Sequence, residues 1–380
     1  MFFGQDFIIS VPEEVKVFGS LEQGDELQIR WGGGRIRGMK IQLSHKFDEI
    51  INLENLLLAW PEFLAGKKRR LDVQVFAANL MDNIFLLHYN LLYHRYQPGV
   101  YEAFNISDPK PRSIHKASVR DRLLHRAIYR RLYPFFDRTF IADSYSCRLE
   151  RGTHKAVNQL QKYFYKVSRN NTRNCWALKG DIRKFFVSIN HDILLGVLAE
   201  YIPDNDIMWL LRQIVNSFHV GENNKGLPLG NLTSQLFANI YLNRFDQFVK
   251  HKLKAKYYIR YADDFVILSE DKEWLIQQIN LIREFLSDNL DLELHPNKLF
   301  LRMVSSGLDF LGWVNFPDHR VLRRATKNRM FRKLRGNLSR ESLNSYLGLL
   351  SHGNARKLSS IINIIFIERL WKFYAWFAII

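Results

Sequence analysis

Cysteine is nearly missing from this chain. Cys147 and Cys175 are the only two among 380 residues, which excludes a disulfide framework and any Cys-x-x-Cys zinc site and suits a reducing compartment. A zinc centre from Cys147, His154 and Cys175 has no recognisable ligand spacing to support it. Acidic residues are in deficit, 38 against 55 Lys and Arg, for a net charge of +17. A polyanion is therefore the leading partner class, with nucleic acid first and an anionic membrane surface as its rival. Uninterrupted apolar runs are absent too. The most apolar stretch, Ile361 to Ile380, contains Glu368, Arg369 and Lys372 and reads as a packed helix rather than a membrane span. The N-terminus, Met1 to Asp6, lacks a basic start, so no signal peptide is expected and the expected compartment is the cytoplasm. No internal repeat or low-complexity linker is found.

What is present is a folded globular composition, 47% hydrophobic, long enough for two or three subdomains. Its organising stretch is Tyr257 to Leu268, where two aromatic and β-branched runs flank a short break. The runs read as hairpin arms, with Ala262, Asp263 and Asp264 at the tip. Adjacent strand residues point to opposite faces, so an Asp pair is a poor way to build a core. At a rigid tip, one carboxylate at least can face a cleft, where Mg²⁺ is the hard cation that oxygen ligands favour. The plainer reading is a solvated turn with two surface acids.

Upstream, Cys175 to Gly180 reads as a buried strand with Asp181 at its C-terminal end, where open sheets place their chemistry. Phe185 and Phe186 follow closely enough for one to wall a pocket. Acids from two sheet elements, bridged by two Mg²⁺ ions about 3.5–4 Å apart, make the minimal arrangement for phosphoryl or nucleotidyl transfer.

Other segments carry expectations of their own. The triple glycine after Trp31 reads as a turn between short strands. Val73 to Tyr96 is expected as one long helix, followed by an extended pair of segments tipped with Lys110 and Arg112 that could clamp an anion. In Val119 to Tyr133, Arg122, Arg126 and Arg130 recur at i, i+4, i+8, a cationic row with a pitch of about 6 Å that can track phosphates. An ordinary solvated helix face is its plainer counterpart. The loop Gly226 to Gln235 feeds an expected helix from Leu236 to Val249, with Thr233 or Ser234 as its cap. Further on, Glu273 to Leu290 reads as a helix, Leu292 to Leu301 as strand, turn and strand, and Leu308 to Val314 as a hairpin. The tail from Arg320 begins basic and reads as helices.

At this point the chain resembles a reverse transcriptase over roughly residues 50 to 380. Asp181-Ile-Arg-Lys-Phe-Phe186 is similar to the family's first palm motif, and Tyr261-Ala-Asp-Asp264 to its Tyr-x-Asp-Asp box. Leu294-His-Pro-Asn-Lys298 and Phe310-Leu-Gly-Trp313 resemble the later palm motif and the primer grip. Arg112 with Asp121-Arg122 resembles the segment that grips the incoming triphosphate. The resemblance implies an α+β right-hand fold: an N-terminal extension (1–45), helical and β-hairpin fingers (46–170), a palm with an antiparallel sheet covered by helices and a fingers-proximal insertion (171–318), and a small helical thumb (319–380).

It also implies roles. Asp181 and Asp263 would bind two Mg²⁺ ions, with Asp264 and the Ile182 carbonyl as further ligands and Mn²⁺ able to substitute. Lys298 would donate a proton to pyrophosphate. Lys110 and Arg112 would neutralise the triphosphate. Phe186 would exclude a 2′-hydroxyl, and Phe310, Leu311, Gly312 and Trp313 would hold the primer. Template RNA, the primer with its growing cDNA, and dNTPs are the implied partners.

Within the family, Leu229 before Gly230 and Ser234-Gln235 at the loop's end resemble reverse transcriptases of diversity-generating retroelements, which copy a template-repeat RNA with errors at adenines. That subgroup implies a small, basic, oligomeric accessory variability protein. Two alternatives stand beside it: a bacterial defence or intron-derived reverse transcriptase of ordinary fidelity, and a catalytically silent RNA-binding module.

Overall fold

The structure, a computed structural model, describes residues 30–31, 34–35, 41–107, 111–221, 224–336 and 339–377. Most of the N-terminal extension, with the glycines of its expected turn at 32 and 33, and the anion-clamping Lys110 lie outside the described residues. The chain divides into two units interleaved in sequence, Met1–Thr139 with Ile189–Lys254, and Phe140–Ser188 with Ala255–Ile380.

In chain order, β1 (Arg30–Trp31) and β2 (Gly34–Arg35) make a minimal antiparallel pair. Next come α1 (Phe47–Ile51) and α2 (Leu53–Leu64), the latter opened by Asn52, whose side chain accepts from the Asn55 amide. The single helix expected over residues 73 to 96 is instead two, α3 (Leu71–Ala78) and α4 (Leu80–Leu92). Asn79 leaves helical geometry with φ −121° and ψ 44°, so that α3 reaches α5 while α4 packs on α1 and α2. A hairpin of β3 (Glu102–Ile106) and β4 (Arg112–Lys116) follows, then α5 (Val119–Thr139). α5 is the spine of this first unit: Leu123, Leu124, Ala127, Ile128, Leu132 and Phe136 recur at helical spacing and are all buried.

The chain then contributes α6 (Thr153–Val167), β5 (Trp176–Asp181) and the one-turn α7 (Phe185–Ser188) to the second unit. It returns to the first through α8 (His191–Tyr201), α9 (Asn205–Asn216) and α10 (Leu232–Gln247). Asn190 and Asp204 cap α8 and α9, each accepting two amides of the first turn. α10 begins at Leu232, earlier than expected, so Thr233 and Ser234 are buried within its first turn and do not cap it. Asn231 takes the cap position, with its side chain turned elsewhere.

The rest belongs to the second unit. β6 (Tyr257–Tyr261) and β7 (Asp264–Ser269) form the expected hairpin, and α11 (Lys272–Leu290) follows. β8 (Phe300–Met303) completes an antiparallel sheet of order β6-β7-β5-β8. Ala177, Ile259, Val266 and Leu268 share a core with Ala156, Leu160 and Phe164 of α6. A smaller antiparallel sheet joins β9 (Leu308–Phe310), β10 (Trp313–Asn315) and β11 (Arg320–Leu322). α12 (Arg324–Gly336), α13 (Arg340–Leu350) and α14 (Arg356–Phe377) close the chain around a second core centred on Trp313, Met330, Leu334 and Leu350. The class is α+β with antiparallel sheets, as expected.

Candidate active site

Three acids meet where β5 and the β6–β7 hairpin end. Asp181 is the last residue of β5 and the register partner of Asp264, the first residue of β7. Side chains of paired residues stand on the same face of a sheet, so these two carboxylates are neighbours by construction. Asp263 occupies the two-residue turn between Tyr261 and Asp264. The other turn residue, Ala262, has φ +54°, in the left-handed region where glycine is the usual occupant. Gly180 is required just before Asp181. A Cβ there would lie 2.3 Å from the Phe265 ring, which crosses the strand at that point.

On its far side β5 runs on past Asp181 to meet the segment before Lys298. Arg183 N donates to Glu293 O (2.8 Å) and His295 N to Asp181 O (2.8 Å). These bonds flank Ile182, so its own carbonyl stays outside that ladder. The Pro296–Lys298 turn then places the Lys298 Nζ 2.8 Å from Asp181 Oδ1. A lysine that sequence reasoning passed over completes the set. Lys179, two residues before Asp181 and hence on the same face, brings its Nζ to 3.5 Å from Asp264 Oδ1. It also donates to Asp309 O at 3.0 Å. Period-two counting back from Asp181 was the signal that could have found it.

The charges are in tension. Burial and the nearby Asp181 charge push the Asp263 carboxyl up to about 6, and burial also raises Asp264. Two ammonium groups offset part of this repulsion. Among the described residues, no three His, Cys, Asp or Glu side chains are gathered into a ready-made ion cage, and two of the acids lean on lysines. The donor set still fits a divalent ion by its chemistry: carboxylates and a backbone carbonyl, all hard oxygen, under mutual repulsion that a cation relieves. Any ion bound there competes with Lys298 and Lys179.

Lys184, at φ +47°, kinks the chain after the acid. That turn buries Phe185 and leaves Phe186 half-buried, with ring centroids 5.4 Å apart. In the Phe310–Trp313 hairpin, Leu311 and Gly312 both have positive φ, as a tight two-residue turn demands. Phe310 and Trp313 are fully buried, one in each core of the unit. The Leu311–Gly312 tip is half-buried, and the two aromatic residues anchor the turn from the cores on either side. Buried Asn315 braces it by donating to the carbonyls of Leu308, Phe310 and Trp313.

The remaining expected residues belong to the first unit. Arg112 opens β4 and is exposed. Along the same strand, His115 N donates to Leu229 O (3.0 Å) and Asn231 Nδ2 donates to His115 O (3.0 Å). Gly230, at φ +110°, lies so close to Ile114 that a Cβ would come within 2.9 Å of it. The loop is thus zipped onto β4, with Leu229 and Gln235 half-buried. The arginine row of α5 is engaged internally. Arg122 pairs with Asp72 at 2.6 Å, while Arg126 and Arg130 both reach Glu62. Partners on α2 and α3, far off in sequence, turn this row into a brace between helices.

The family described as Reverse transcriptase (RNA-dependent DNA polymerase) matches residues 107–314, more than half of the chain. The chain belongs to the reverse transcriptase family. Its enzyme class is that of an RNA-directed DNA polymerase. Among relatives, Protein YkfC of Escherichia coli is 27% identical over 66% of this chain and 74% of its own length. The group II intron-encoded protein LtrA of Lactococcus lactis is 25% identical over 63% of this chain. The match spans only 49% of LtrA. Among solved structures, a telomerase from Candida albicans is similar at a TM-score of 0.48 and 13% identity, over 73% of this chain and 55% of that one. Among the described residues, no helix of this reverse transcriptase is long and apolar enough to cross a membrane.

Proposed function

We propose that this reverse transcriptase makes adenine-mutagenised cDNA from a template-repeat RNA, as the polymerase of a diversity-generating retroelement. The observation that carries this reading is Leu229, an apolar side chain at the tip of a loop held in place by β4. Leu229 cannot hydrogen-bond a sugar or a template base as glutamine does, so base-pair geometry is policed less strictly. Residues 46–170, 171–318 and 319–380 serve as fingers, palm and thumb.

Asp181 and Asp263 hold the divalent ions, Mg²⁺ by preference and Mn²⁺ in its place, with Asp264 and the Ile182 carbonyl beside them. When bound, the ions supply charge neutralisation and activation of the primer hydroxyl. The chain's own groups do the rest. Lys298, already hydrogen-bonded to Asp181, carries the proton that the departing pyrophosphate takes up. Arg112 neutralises the triphosphate, Phe186 stands against a ribose 2′-hydroxyl, and the Leu311–Gly312 turn backs the primer. The exposed cations of α12, which include Arg324, Lys327 and Arg332, offer a face for duplex phosphates with no acid on the helix to mask it. A small basic accessory protein completes the system.

The intron-encoded relative favours a second reading, an intron-derived enzyme of ordinary fidelity. Primer extension on an RNA template with Mg²⁺ and dNTPs, followed by cDNA sequencing, separates the two. Substitutions clustered opposite adenines, removed in Leu229→Gln, support the mutagenic reading. Evenly accurate cDNA from the native chain supports the intron-derived one.

A further inference from the structure

Arg260 lies in β6, two residues before the acidic turn, and its side chain is fully buried at 1% exposure. A guanidinium keeps its charge in a protein, and taking it out of water is costly unless its donors are satisfied. Its Nη1 donates to the carbonyl of Ala262 at 3.1 Å, and its Nη2 to the Ser144 hydroxyl at 3.0 Å. The backbone is pinned as well. Arg260 N donates to Asp143 O (3.0 Å), and Tyr145 N donates to Arg260 O (3.0 Å), so the segment through Ser144 runs alongside β6 as a parallel bridge. Asp143 is itself anchored, accepting from the hydroxyls of Tyr163 (2.5 Å) and Tyr145 (3.2 Å).

The residue that Arg260 grips is the strained one. Ala262 sits at φ +54°, in the left-handed region that an L-residue other than glycine adopts only under strain. Releasing that carbonyl would let the peptide before Asp263 rotate and carry the carboxylate with it. We propose that Arg260 is a positioning residue for the acidic turn. Braced on Ser144, it holds the Ala262 carbonyl and so fixes the direction in which Asp263 is presented. It works through the backbone, whereas the charges that face Asp263 are those of Asp181, Asp264 and Lys298. This inference rests on the reading that Asp263 holds a divalent ion.

The test is Mn²⁺ binding to the full chain, followed by electron paramagnetic resonance of the free ion, with Asp263→Asn defining non-specific sites. Arg260→Lys keeps the charge but cannot fork between two acceptors, and loss of one such charged hydrogen bond predicts about tenfold weaker Mn²⁺ affinity. Ser144→Ala, a milder change suited to a case where Arg260→Lys fails to fold, predicts a smaller weakening in the same direction. Ala262→Gly added to either variant is expected to restore part of the affinity, because glycine takes positive φ without strain. Leu343→Ala, on the buried face of α13, controls for simple destabilisation and should lower Tm with Mn²⁺ affinity unchanged. Arg260→Lys and Ser144→Ala proteins that bind Mn²⁺ as tightly as the native chain, or no regain with Ala262→Gly, would overturn the positioning role. Native binding that ignores Asp263→Asn would instead overturn the ion reading itself.

Discussion

Asp121 is buried and Asp263 half-buried, one in each unit, and their surroundings are opposites. Asp121, 2% exposed, accepts from the Tyr96 hydroxyl, the Gly99 amide, the Ser118 hydroxyl and Arg120 Nε, all within 3.0 Å. It joins the start of α5 to the loop before β3, and every donor around it matches its charge. Asp263 faces two other carboxylates, and its own carboxyl is pushed up to about 6. The more deeply buried acid is the one whose donors are complete, so burial does not by itself mark an acid placed for chemistry. The distinction lies in whether the fold has already satisfied the charge. Asp121 is finished, while the Asp263 cluster is left wanting a cation.

The largest effects should break this pair apart. Asp263→Asn is expected to reduce dNTP incorporation by about 10³-fold or more, since ion-borne stabilisation is worth several kcal/mol. The same change should leave the ion-free protein as stable or more so, because it removes a repelled charge. Asp121→Asn should do the reverse, costing about 2–4 kcal/mol through lost charged hydrogen bonds. Thermal melting in a chelator and primer extension read both halves. If Asp263→Asn melts lower than the native chain by as much as Asp121→Asn, the contrast is void.

Gly180→Ala probes the support beneath the acids. A methyl group 2.3 Å from the Phe265 ring forces overpacking worth about 1–3 kcal/mol, measurable as a lower urea midpoint.

A pH effect sharpens the comparison further. With its carboxyl raised from 3.8 to about 6, the folded chain holds the Asp263 proton more tightly than the unfolded chain does. That contribution to stability is complete below about pH 4 and is lost as pH rises through about 6. The difference in Tm between the native chain and Asp263→Asn, followed in chelator from pH 4 to 7.5, should move against the native chain across that window. Ion affinity should move the other way, since ligands must be deprotonated.

The smallest expected change concerns the arginine row. Arg130→Gln should lower Tm but leave the slope of log affinity for RNA against log salt unaltered, because its charge is already matched by Glu62. Arg324→Gln in α12 should reduce that slope by about 1.

Much of the site was legible in the sequence because it is built from local rules. Strand alternation, a short break and an acid at a strand end pointed to Asp181, Asp263 and Asp264, although Asp264 proves to open β7 rather than sit at the tip, and the hairpin at Leu308 to Val314 was equally local. Lys179 escaped notice because an isolated lysine in a strand has no signal until its neighbours are known. For the arginine row it was the partners that could not be read. Its periodicity is visible, but the acids that engage it, Asp72 and Glu62, lie 50 or more residues away. The break at Asn79 and the early start of α10 were likewise set by packing on α5 and by the loop's bonds to β4.

By itself, then, the sequence determined which segments pair or coil and which residues carry charge, since those follow from spacing of two or of three to four along the chain. Only the tertiary structure decided which charges are answered. An ion pair, a buried guanidinium such as Arg260 or a repelled carboxylate such as Asp263 is defined by partners brought together in space.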